Sequence, residues 1–265
     1  MKRMWFLPVL LLLLLPRPAR AVCPAEAELI GVRLDGALYE NGYTYVPLRG
    51  LLAATGDGFS LVWEGETRCA VASVGGHSLV AKIGTETLFA DGRALPCPRP
   101  PFILHGATYV PFRLTAEALG LTVFFDAERG TAVAEGTLAP ARYAEETRDL
   151  LARLIRAESE GECMAGQVAV GNTVLNRVAS PAFADTVEDV IREKINGYYQ
   201  FTPVENGRIA RAAGERARTA AEMALAGYRT VSDALYFFDP QYSSGAWITQ
   251  NCRFITAIGC HRFYC

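Results

Sequence analysis

Histidine is scarce in this chain, with three in 265 residues, and no Cys-x-x-Cys pair occurs. His77, His105 and His261 are scattered, so no local zinc motif can be drawn and neither a resident metal nor a cofactor is expected. Charge of one sign is also lacking, with 26 basic residues against 28 acidic ones. Lys2, Arg3, Arg17 and Arg20 lie in the first 21 positions, which leaves 22 basic residues against the 28 acids beyond them. That balance gives no electrostatic reason for a nucleic acid or an anionic membrane as partner. The one continuous apolar run, Met4 to Leu15, falls short of the roughly 20 residues a spanning helix needs. A hydrophobic share of 51% with 20% charged residues excludes disorder as the main state.

The apolar run follows Lys2 and Arg3, stops at Pro16, and is succeeded by Ala19-Arg20-Ala21, with small residues at the cleavage-determining positions. Residues 1–21 therefore read as a secretory signal, and the mature protein is expected outside the cytoplasm. Seven cysteines suit export, because disulfides persist there, and the odd number leaves at least one unpaired within the chain. Cys163, Cys252, Cys260 and Cys265 allow three full pairings, of which Cys252–Cys260 is the first to test as a local loop closure.

Two segments echo one another. Gly42-Tyr43-Thr44-Tyr45-Val46-Pro47-Leu48-Arg49 is matched by Gly106-Ala107-Thr108-Tyr109-Val110-Pro111-Phe112-Arg113, each followed by a short helical stretch to Gly56 or Gly120 and then strand-like residues. Asp35-Gly36, Asn41-Gly42 and Asp91-Gly92 interrupt β-rich runs where type I′ turns need positive φ. Residues 29–136 thus read as a hairpin-rich α+β domain made of two repeated units. The paired Tyr-Val-Pro-(Leu/Phe)-Arg segments, Pro100-Pro101, and the spacing to Trp63 and Phe125 resemble the copper-amine-oxidase-type N-terminal domain. The resemblance implies envelope attachment or spacing through an unknown ligand, and neither copper nor oxidase activity. A scaffold without a ligand of its own is the alternative.

After Gly136 to Pro140 the pattern turns helical, so a second domain is placed at 143–265. Its 14 basic and 15 acidic residues, counted from 137, suit an uncharged or mixed ligand. Leu151, Leu154 and Ile155 share one stripe of a helix and Glu158 falls inside it, while Arg153, Arg156 and Glu160 fall on the opposite, surface face. A carboxyl on an apolar stripe has its pKa raised by desolvation, as a proton donor near neutral pH requires. The alternative is that Glu158 caps a neighbouring helix or pairs with an arginine. The next helix, about Ala165 to Val178, carries Gly171 for close approach, with Gln167 on the same face to position substrate, bond Glu158, or serve as a core amide. Thr186 and Asp189 stand at capping spacing. Tyr236 and Trp247 could stack on sugar rings or simply pack in a core.

The ordered segments Ala157-Glu158-Ser159-Glu160-Gly161-Glu162, Gly166-Gln167-Val168, Val174-Leu175-Asn176-Arg177-Val178, Ser180-Pro181-Ala182-Phe183, Gln200-Phe201-Thr202-Pro203, Ala234-Leu235-Tyr236-Phe237, Trp247-Ile248 and Ile258-Gly259 before His261 resemble the SleB/CwlJ family of cell wall hydrolases, the spore-cortex-lytic enzymes. The resemblance covers residues 148 to 265. It implies a lysozyme-like, mainly helical α+β domain with a small sheet, acting on peptidoglycan glycan strands at the N-acetylmuramic acid–N-acetylglucosamine β-1,4 bond. It places the catalytic glutamate at Glu158, and Gln167, Gln200, Phe201, Tyr236, Trp247 and His261 are taken as substrate-binding. Ser159 and Glu160 depart from the Ala-Arg frequent in the family, and Cys163, Cys252 and Cys260 are further departures.

A two-carboxylate glycosidase needs a second acid about 5 Å or more away across the bond. Glu162 would crowd the side of Glu158, and Glu205 and Asp239 are the other acids near these segments. A single-acid lytic transglycosylase is the resulting expectation. The rival is a non-catalytic peptidoglycan-binding envelope protein. A peptide-cleaving amidase lacks a zinc set and a Cys/His pair near a helix start.

Overall fold

The computed structural model describes residues 22–195 and 197–265, and the expected signal segment lies outside them. The architecture is α+β, with several mostly antiparallel sheets followed by a helical region. The two Tyr-Val-Pro segments form the strands Tyr43–Pro47 and Ala107–Pro111, which pair antiparallel with Val46 opposite Val110. Each strand ends on its proline, and a helix starts at the next residue, giving α1 (Leu48–Ala54) and α2 (Phe112–Ala118). Pro47 and Pro111 keep extended ψ values of 123° and 119°, which suits the residue just outside a helix.

Turn chemistry follows the sequence at two of three places. Asn41 and Asp91 stand at φ 48° and 47°, each followed by a glycine at positive φ, as a type I′ turn requires. Asp35 is not among the positive-φ residues, so at Asp35-Gly36 only the glycine adopts that region. The strand-like stretches after the two helices resolve into hairpins, Phe59–Glu64 with Cys69–Val74 and Thr122–Asp126 with Thr131–Glu135. The latter strand also pairs in parallel with Glu26–Leu29, tying the start of the region to its end.

Helix α3 (Glu145–Ser159) buries Leu151, Leu154 and Ile155 completely, and α4 (Met164–Val178) packs across it. Helix α5 (Val187–Arg192) opens on Thr186, whose hydroxyl accepts from Asp189 N–H at 3.1 Å. Helices α6 (Thr202–Glu205) and α7 (Glu215–Ala226) follow, then α8 (Ala246–Asn251) between the strand Tyr236–Phe238 and the hairpin Phe254–Ile258/His261–Tyr264. Gly171 lets α4 approach both neighbours, because a Cβ there would lie 2.9 Å from Ala224 Cβ and 3.1 Å from Ile155 Cδ1. Arg156, expected on the surface, is buried and donates to the Arg208 carbonyl. Its ion pair with Glu160, at 3.9 Å, is a secondary contact. Periodicity placed Arg156 away from the apolar stripe, but a distant turn folds over that face.

The sheet region and the helices share a core. Cys69, Val71 and Val80, from the strands Cys69–Val74 and His77–Lys82, belong to one buried cluster with residues of α3, α4 and α7. Polar contacts fix the same seam. Ser78 Oγ donates to Glu222 at 2.7 Å, Arg148 pairs with Glu222 at 2.7 Å, and Glu66 accepts the Met164 N–H at 2.8 Å.

All seven cysteines are thiols, so the Cys252–Cys260 closure is not formed. The thiol that bears electrostatically on Cys252 is that of Cys265, two strand ends having been brought together by the paired hydrogen bonds of Arg253 and Cys265. Among the described residues no helix is long and apolar enough to cross a membrane.

Candidate active site

The last turn of α3 delivers Glu158 to a cleft of about 770 Å³. The stripe that buries Leu151, Leu154 and Ile155 ends there, so a carboxyl continues an apolar face into a cavity wall. Glu158 is half-buried and makes no hydrogen bond or ion pair with any described residue. Burial pushes its carboxyl up to about 7, against the opposing pull of Arg208 and Arg177. At neutral pH about half of such groups hold a proton, the condition under which one carboxyl serves as both donor and acceptor. Two other cavities, of about 760 and 720 Å³, lie away from Glu158, so the acid and not the volume singles out this cleft.

Arg177, on α4, lines the cleft from a buried position. Its Nε donates to Leu235 O at 2.8 Å, and its guanidinium carbon lies 4.9 Å from the ring centres of Phe183 and Phe201 and 5.5 Å from that of Tyr236. The aromatic faces supply electron density where water is excluded, which keeps a buried cation tolerable. Arg208 lines the cleft from the exposed turn after α6.

Glu162 sits past the bend at Gly161 with both carboxylate oxygens accepting the Cys260 N–H, at 3.2 and 3.3 Å. Gly259 makes this approach possible, since a Cβ there would fall 1.6 Å from Glu162 Oε2. Glu162 is thus committed to the turn between the last two strands. His261 Nδ1 lies 3.7 Å from Glu162 Oε1, and burial lowers the imidazole pKa despite that neighbour. Asp239 also lines the cleft, its Oδ1 accepting Gln241 N–H at 2.8 Å.

Of the residues taken as substrate-binding, Gln200, Phe201 and His261 line this cleft with Glu158. Gln167 does not line it. It is wholly buried and donates to the carbonyls of Glu162 at 3.2 Å and Glu160 at 3.4 Å, holding the loop behind the acid as a core amide. Tyr236 and Trp247 meet edge to face at 5.6 Å, with Trp247 exposed, and neither is part of the cleft wall. Tyr236 instead backs Arg177. The sequence reading passed over Arg177 and Arg208 as site residues; Arg177 stands in the Asn-Arg segment, where an arginine among α4's apolar positions was the available signal. Among the described residues no group of three or more His, Cys, Asp or Glu side chains is placed to hold a metal ion.

Comparison with known proteins matches residues 161–264 to the Cell Wall Hydrolase family and residues 32–134 to the Copper amine oxidase N-terminal domain. A spore cortex-lytic enzyme of Bacillus cereus is 37% identical over 129 residues, which are 49% of this chain and 48% of the relative. The cell wall hydrolase CwlJ of Bacillus subtilis is 33% identical over 119 residues, covering 44% of this chain and 82% of the relative. Among solved structures, the catalytic domain of the germination-specific lytic transglycosylase SleB from Bacillus anthracis is 35% identical, covers 48% of this chain and 100% of its own, and has a TM-score of 0.44. The chain spans less than half the length of the spore cortex-lytic enzymes it matches, 38% and 48% in two of them. The family match starts at Gly161, so the assignment of Glu158 stands on the cleft geometry.

Proposed function

The chain belongs to the cell wall hydrolase family, and from that premise we propose that it is an exported peptidoglycan-lytic glycosidase. Its substrate is the glycan strand of spore cortex or cell wall, cut at the β-1,4 bond between N-acetylmuramic acid and N-acetylglucosamine. The observation that carries this reading is Glu158, a carboxyl with no hydrogen-bond or ion-pair partner among the described residues, whose pKa burial raises to about 7 at the wall of a cleft.

The reaction follows from one acid. Protonated Glu158 gives its proton to the glycosidic oxygen as the C1–O bond breaks, which releases the sugar beyond the bond with a free hydroxyl. The resulting carboxylate then removes the proton of the muramoyl O6 hydroxyl as O6 bonds to C1, closing a 1,6-anhydro ring and restoring the acid. Glu162, already accepting the Cys260 N–H, supports this over a second-carboxylate mechanism, because a nucleophile or base has to be free to meet C1 or a water. Gln200, Phe201 and His261 contribute the cleft wall that seats the strand. Trp247 and Tyr236 are proposed as an outer stacking platform beside that wall.

The N-terminal region is proposed to hold the enzyme at the envelope, as a pair of duplicated units that share a buried cluster with the helices. The deciding experiment is mass spectrometry of the soluble products from purified peptidoglycan and from cortex material containing muramic lactam. Anhydro-muramic ends are expected. Reducing muramic ends alone would replace transglycosylation by hydrolysis, and retention of the protein on the wall without lysis would favour a binding protein.

A further inference from the structure

Arg177 and Glu158 line one cleft from two helices, and each carries an unmet polar group. Nη1 of Arg177 is buried and has no hydrogen-bond partner among the described residues, while the Glu158 carboxyl has no partner at all among them. A buried charged donor without an acceptor is costly, and a protein keeps one where an acceptor forms during its work. In the mechanism above, which this inference rests on, one negative charge appears and disappears on Glu158. We propose that Arg177 is a positioning residue whose fixed charge holds the Glu158 carboxylate between proton donation and proton return.

Three features suit Arg177 to this task. Its Nε–Leu235 bond and the faces of Phe183, Phe201 and Tyr236 fix the guanidinium, so its charge needs no reorganisation when the carboxylate forms. It is buried, so solvent does not screen it, whereas Arg208, which also favours the Glu158 carboxylate, is exposed and screened. It also stops short of an ion pair with Glu158, since a salt bridge in the resting protein would ionise the acid before it could donate. The other titratable groups lining the cleft are Glu160 and Glu162 after α3, and Asp239, Tyr242, Cys260 and His261 around the small sheet, while Tyr236 and Glu193 bear on Arg177 itself. The carboxylates of Glu160, Glu162 and Asp239 oppose a negative charge on Glu158, which makes a nearby cation more necessary.

The test is the pH profile of glycan release by Arg177→Met and Arg177→Lys, each compared with wild type for thermal unfolding. Without the cation Glu158 holds its proton to higher pH. Arg177→Met should therefore move the alkaline limb upward by about one pH unit and lower kcat about tenfold or more, with KM within about twofold. Arg177→Lys, which keeps the charge, should leave the limb within about 0.3 of its position and retain at least about a third of kcat. A folded Arg177→Met protein with the wild-type limb and kcat overturns the proposal. If the methionine variant does not fold, the lysine variant decides, and a loss of kcat beyond about tenfold in a folded Arg177→Lys protein overturns it equally. Failure of the underlying reading shows up differently, as an active Glu158→Gln protein.

Discussion

Glu66, in the hairpin turn before Cys69, accepts the backbone N–H of Met164 at 2.8 Å and so caps the helix that carries Arg177. Cys163, the residue at that helix start, makes no side-chain cap of its own. The missing cap comes from another part of the chain, 98 residues away. Arg216 of α7 holds the same carboxylate at 2.7 Å, so the sheet region, α4 and α7 meet at one side chain. The bond to Met164, then Arg216, lowers the Glu66 pKa, so its contribution is present above the ordinary carboxylate range and is lost as pH falls through the lowered value.

Glu66→Ala should accordingly lower stability at neutral pH by about 1 kcal/mol, in the range of a lost helix cap. Calorimetric unfolding checks this. The loss should shrink toward acidic pH, and the activity of the folded fraction should stay unchanged.

Gly259→Ala should be far more damaging. The residue stands at φ +57°, and the added Cβ would meet Glu162 Oε2 at 1.6 Å, against a carboxylate already fixed by Cys260. The strain of the backbone and the displaced carboxylate together should cost about 2 kcal/mol or more. Chemical unfolding measures the cost, and a milder companion, Glu162→Gln, should keep much of the stability because an amide oxygen can still accept the Cys260 N–H.

His77 gives the seam a pH dependence. Its Nδ1 lies 2.6 Å from Asp91 and its Nε2 2.8 Å from the Ala139 carbonyl, so the cationic ring donates to both. The bond to Asp91 raises the His77 pKa above its ordinary value, outweighing burial. The stabilisation is therefore full below pH 6.5 and is lost as pH rises through the raised value. Thermal unfolding between pH 6 and about 8.5 should show this decline, and His77→Gln should make it shallower.

Glu158 also makes the fold less stable as pH rises, here through the cost of a buried charge. Its folded pKa of about 7 exceeds the ordinary value of 4.5, so ionisation opposes folding increasingly as pH rises from 4.5 through 7. Glu158→Gln should therefore unfold at a higher temperature than wild type at pH about 8, with the difference vanishing near pH 4. A stabilised but inactive variant is the expected signature of an acid kept at a cost for chemistry.

Local patterns made much of this legible. The three-to-four spacing of Leu151, Leu154 and Ile155 located Glu158, and Gly171 marked the closest helix approach, because both depend on neighbours within a few turns. Asn41-Gly42 and Asp91-Gly92 were readable because only certain residues accept positive φ. What escaped was set by contacts far apart in sequence. Arg156 is covered by the turn at Arg208, Gln167 is claimed by the loop carbonyls of Glu160 and Glu162, and Arg177 is boxed by rings from three separate segments. The shared core of Cys69, Val71 and Val80 with the helices was equally invisible, since a strand buried on both faces looks the same whatever lies on its far side.

In the proposed reaction one carboxyl at the end of α3 supplies and recovers the proton. The most direct measurement is release of soluble glycan from purified peptidoglycan by Glu158→Gln beside wild type, with both proteins shown to be folded. The amide keeps the shape and cannot donate, so a loss of about a thousandfold is expected, in line with removal of a general acid. Wild-type release by the variant would contradict the account.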